Sequence, residues 1–179
     1  MKHNRKNPLL IAIALLGFTL TMTPVDAASG TWTGGGSQTT NQGIWGGVGN
    51  WVSSAVADGA GFTATFGNSF TNGNACIVNT ARTIGNITFN SAAIDFNLNT
   101  HASNFILTLN NSGASPAINV TQAGRTLTIN PIVAGTAGLT KSGPGKLLLT
   151  NSASTLTGAI IVSGGTLEIG TAGRLGNGT

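Results

Sequence analysis

The sequence predicts an all-β protein, a right-handed parallel β-helix (solenoid) with an N-terminal cap. Three observations lead there. Charged residues are only 7 % of the 179 residues, and Gly, Asn and Thr dominate where helix formers would stand. Apolar residues alternate with polar ones in short runs, the pattern of half-buried strands. The runs are similar to one another and lie about ten residues apart, separated by turn residues. An antiparallel β-sandwich accommodates the same spacing and is the alternative.

The first element is an address. Lys2, Arg5 and Lys6 precede an apolar or neutral run from Leu9 to Met22, and Val25 and Ala27 occupy the small positions of a cleavage site. This layout is that of a secretory signal peptide, residues 1–27. The run is too short for a comfortable membrane span of about 20 residues, so the membrane is expected to matter only during export. Beyond the leader, Arg82, Arg125, Lys141, Lys146 and Arg174 face Asp58, Asp95 and Glu168, a net charge of +2 against +4 for the whole chain. No basic stripe remains for nucleic acid.

Residues 28–80 form the second unit, a Trp-rich cap with the first strands. Trp32, Trp45 and Trp51 crowd this part. They have two readings: buried plugs of the solenoid's end, or exposed rings stacking on sugars. The plug is preferred, because an open coil needs covering. Asp58 lies in a turn and is expected to bond nearby amides. Cys76, the single cysteine, is flanked by apolar residues and is read as a buried apolar side chain.

Residues 81–179 form the third unit, the repeat solenoid. Phe96 and Leu98, then Leu107 and Leu109, Ile118 and Val120, Leu127 and Ile129, Leu147 and Leu149, Ile160 and Val162, Leu167 and Ile169 form inward pairs. Such pairs share a face because side chains alternate across a strand. The stretches ARTIGNITFNSA and GRTLTINPIVAG resemble each other: both begin with Arg-Thr, then alternate, then turn, and this self-similarity favours the solenoid.

The stretch GLTKSGPGKLLLTNSASTLTGAIIVSGGTLEIG resembles the autotransporter-associated β-strand repeat. Gly138, Leu139, Lys141, Gly143, Gly145, Leu147, Leu149, Asn151, Gly158, Val162, Gly165, Thr166 and Leu167 fill the family's pattern. Leu156 stands where an aromatic residue is usual. The resemblance implies a secreted or cell-surface bacterial passenger, a parallel β-helix acting as an adhesin-like stalk. The segment TAGRLGNGT resembles the start of a linker to another repeat. Neither a barrel nor a sorting tail follows Thr179, so the chain is expected to belong to a longer reading frame.

Within the repeat, the glycines around Pro144 are expected to form a tight corner. Lys141 and Lys146 are expected to sit at that corner and point to solvent. A phosphate-binding loop is disfavoured, since Leu147 rather than Ser or Thr follows Lys146. Catalysis is not expected. Glycoside hydrolysis needs two facing carboxylates, whereas Asp58, Asp95 and Glu168 are scattered, and His101 is the one histidine beyond the leader. No cofactor or metal is expected. The expected partner is a surface polysaccharide or another extracellular protein.

Overall fold

The computed structural model describes residues 27–34, 42–67, 73–170 and 175–176. Apart from Ala27, the expected leader lies outside the described residues, as does most of the TAGRLGNGT segment. The described chain is a parallel β-solenoid of about five turns.

Fifteen strands follow in order: β1 (Gly30–Trp32), β2 (Gln42–Ile44), β3 (Gly59–Phe66), β4 (Ala75–Val78), β5 (Arg82–Phe89), β6 (Phe96–Thr100), β7 (Ile106–Leu109), β8 (Ala117–Val120), β9 (Thr126–Ile129), β10 (Ile132–Gly135), β11 (Leu139–Ser142), β12 (Lys146–Leu149), β13 (Thr155–Leu156), β14 (Ile160–Val162) and β15 (Thr166–Ile169). One sheet runs β15-β12-β9-β6-β4-β2. The other runs β13-β10-β7-β5-β8-β11-β14, with β3 on β5 and β1 on β3. Every pairing between named strands is parallel, including β9 with β12, where Thr126 aligns with Lys146. The sandwich alternative is thereby excluded.

Strand β5 shows how the tube acquires its corners. Its first half, Arg82–Ile84, pairs with β7, and its second half, Asn86–Phe89, pairs with β8. Two walls that later coils build from separate strands are one bent strand here. Gly85 marks the bend, and a Cβ there would press on the Gly61 backbone of the coil before it. Only glycine permits that approach.

The core is a set of rows, each contributed by one position of successive coils. Cys76, Leu98, Ile129, Leu149 and Ile169 make one row; Phe96, Leu127, Leu147 and Leu167 make another. Inward side chains of the middle coils are wholly buried. Each Leu or Ile so placed contributes about 1.5–3 kcal/mol of hydrophobic stabilisation. A polar row turns the corner after the first sheet. Asn130 Nδ2 donates to Asn99 Oδ1 at 2.8 Å, and Thr150 Oγ1 donates to Asn130 Oδ1 at 2.6 Å.

The two Arg-Thr stretches do not stack as copies. Arg82 opens β5 on one wall and aligns with Leu107. Arg125 precedes β9 on another wall, and Thr126 aligns with Lys146. Their likeness reflects shared strand grammar, because any wall of the tube asks for the same alternation.

Candidate functional surfaces

The N-terminal end is built around aromatic rings. Trp32, Trp45 and Trp51 are 1 %, 0 % and 3 % exposed. Trp32 meets Trp51 edge-on at 5.1 Å, and Phe66 lies against all three indoles. Buried indole N–H groups need acceptors, and two are visible: Trp45 Nε1 donates to Ala57 O at 2.7 Å and Trp51 Nε1 to Trp45 O at 2.6 Å. The segment 48–54 thus folds across the edge of β1, where Trp51 forms an antiparallel bridge with Trp32. This arrangement packs the three indoles into the interior.

Asp58 serves its turn and more. Its Oδ1 accepts from the Gly59 and Thr83 amides, and its Oδ2 pairs with Arg82 Nη1 at 2.7 Å. The Arg82 side chain is mostly buried, and Cys76 is wholly buried. Burial pushes the thiol well above its ordinary pKa, opposed by the Arg82 charge. A thiol so held is a packing group rather than a nucleophile.

The repeat corner corrects one expectation. Lys141 does not point to solvent; it is 0 % exposed. It shares a face of β11 with Leu139, in register with Ile118 and Val162. Its ammonium donates to the carbonyls of Ser142 at 2.7 Å, Gly143 at 2.9 Å and Gly164 at 3.1 Å. All three donors are satisfied, two within its own corner and one on the following coil. Burial lowers the ammonium pKa below the usual lysine value, while the carbonyl cradle favours the charged form. Lys141 is a staple between coils. The signal was present in the sequence: Lys141 has the parity of Leu139, and alternation sends both inward.

The glycines of the motif answer to stacking. Gly143 has φ +75 and Gly165 φ +65, both left-handed. A Cβ on Gly143 would meet Asn119 and Val120, and one on Gly145 would meet Val120 and Gln122. Gly158 likewise lies on Gly138. Leu139, Leu147 and Leu149 are wholly buried, and Leu156 fills its position at 1 % exposure. Val162 is half exposed, and Thr166 and Leu167 lie on the outermost coil.

Lys146 does lie outward, with Nζ 3.0 Å from Glu168 Oε2. Arg125 Nη1 lies 3.8 Å from Asp95 Oδ1, and that oxygen also accepts the Thr126 amide at 2.9 Å. Among the described residues no three His, Cys, Asp or Glu gather as metal ligands would. His101 lies against Phe105 on an exposed loop.

The fold and the corner define a class, the parallel β-solenoid repeat proteins, in which motif residues bind coil to coil. Comparison with known proteins narrows it. Residues 139–169 match the passenger-associated-transport-repeat family. The chain is also 38 % identical, over 146 residues, to the adhesin BmaC autotransporter of Brucella suis biovar 1 (strain 1330). That match spans 80 % of this chain but only 4 % of the adhesin's length. No solved structure matches. The repeat at residues 139–169 and this likeness support an autotransporter passenger repeat, and they point to an extracellular or cell-surface passenger. No helix among the described residues is long and apolar enough to cross a membrane.

Proposed function

We propose that this chain is a non-catalytic, adhesin-like stalk segment that extends from the cell and presents binding surface. The observation that carries this is the use of the motif. Leu139, Lys141, Gly143, Gly145, Leu147 and Leu149 all contact the interior or a neighbouring coil. Such residues build length, because each coil rests only on its neighbours. The scattered acids support the same reading: Asp58 is engaged by Arg82, while Asp95 and Glu168 pair with different cations. The similarity to an adhesin supports adhesion as the purpose of that length. The partner is an extracellular polysaccharide or protein.

Beads coated with the exported chain test this. They are expected to attach to host-cell monolayers more than beads coated with an unrelated solenoid, and to leave polysaccharides uncut in a reducing-end assay. Equal attachment, or reducing ends released at a rate abolished by Asp95→Asn or Glu168→Gln, would overturn it.

A further inference from the structure

The corner between β8 and β9 and the equivalent corner one coil further on enclose a cleft of about 350 Å³, lined by Arg125, Thr126, Pro144, Lys146 and Thr166 among others. Four charges follow one another along the axis at this corner, and the middle two, Arg125 and Lys146, line the cleft. Asp95 lies one coil before Arg125, Lys146 one coil after it, and Glu168 one coil further. Lys146 N donates to Arg125 O at 2.8 Å, so the two cations spring from adjacent rungs, about 4.8 Å apart. Each cation holds an acid on its outer side only. Between them the two cations flank one cleft, and an anion bound there meets both.

We propose that this cleft binds the oxyanion of an acidic polysaccharide, a carboxylate or sulfate bridging Arg125 and Lys146. The proposal deepens the adhesin-like reading above and rests on it. The volume is at the low end for small-molecule sites and suits one sugar unit. Thr126 and Thr166 also line it, and their hydroxyl groups suit sugar oxygens. Of the other cations among the described residues, Arg82 and Lys141 are buried. Two partly exposed cations at one place match a single bridging anion, and are too few for a nucleic-acid track or a polybasic membrane contact. The existing ion pairs are half exposed, and pairs of that kind hold their partners weakly.

The exported chain is titrated calorimetrically with polygalacturonate, which carries carboxylates, with dextran sulfate, and with neutral dextran. Saturable binding of at least one anionic polymer and none of dextran is expected; which polymer binds identifies the anion. Arg125→Gln and Lys146→Gln each weaken binding about tenfold, the scale of one lost charged hydrogen bond. Glu168→Gln releases Lys146 and strengthens binding about threefold. The proposal is overturned if neither anionic polymer binds, or if Lys146→Gln binds as tightly with an unchanged circular dichroism spectrum. Should Lys146→Gln fail to fold, Glu168→Gln decides, and unchanged affinity there overturns it. Cell attachment of the coated beads is read separately: attachment without polymer binding removes this site and leaves the adhesin-like reading standing.

Discussion

The two ends of the solenoid treat the same problem in opposite ways. At the N-terminal end the edge of β1 is covered by the segment 48–54, and three indoles close the tube. At the other end β14 and β15 each pair on one side only; Val162 is 50 % exposed and Leu167 only partly buried. In the middle coils, Ile118 and Leu147 hold the corresponding inward rows and are wholly buried. An inward position is therefore not buried by its own coil. It is buried by the coil that stacks on it, as expected of a quasi-one-dimensional fold. Aromatic bulk substitutes for a missing neighbour at one end, and nothing among the described residues does so at the other except Leu175, packed against the core, and Gly176, against Leu156.

The sharpest way to break this contrast is to open the closed end. Trp45→Ala removes a fully buried ring and its bond to Ala57, and is expected to cost about 3–5 kcal/mol in urea unfolding. A loss below about 1 kcal/mol would show that the end is not closed by these rings. The next largest effect lies in the middle, where Gly143→Ala meets both a left-handed backbone and the Val120 carbonyl. A loss of about 2 kcal/mol or more is expected from the same melts.

Lys141→Met comes third, leaving the Ser142, Gly143 and Gly164 carbonyls without their donor. The expected cost is about 1–3 kcal/mol at neutral pH. This variant also has a pH signature. The folded chain holds the Lys141 proton less tightly than the unfolded chain does. Between the lowered folded value and the usual 10.5, the unfolded state therefore carries more protons, and stability rises with pH. Melts taken from about pH 8 to about pH 10.5 should show the wild type gaining on Lys141→Met. Parallel curves would mean that Lys141 titrates as an exposed lysine does. The smallest effect belongs to the open end. Val162→Thr removes apolar surface already half in water, so less than about 0.5 kcal/mol is expected. A loss like that at Trp45 would erase the contrast between the ends.

Much of this was legible beforehand. The inward pairs from Phe96 to Leu149 are buried as their alternation demands, because period two follows from strand geometry alone. Asp58 in its turn and Cys76 in the core followed from residue chemistry. The charged column from Asp95 to Glu168 was not legible. Its members span four coils of unequal length, and only the register brings them onto one corner. The likeness of the two Arg-Thr stretches pointed to the solenoid but not to their walls, since local alternation is identical on every wall. Lys141 was misread through its charge. An ammonium is costly to bury unless every donor is met, and one of its acceptors, Gly164, belongs to the next coil.

By itself, the sequence determined that this chain makes short strands with glycine corners, and which side chains on each strand turn inward. Those are local consequences of backbone sterics and alternation. Tertiary structure decided which strands become neighbours, and so which inward residues are covered and which charges meet. Stacking is a contact between residues about 20–30 positions apart, and its register depends on the length of every intervening corner. That register turned Lys141 from a surface charge into a staple, and set Arg125 and Lys146 across one cleft.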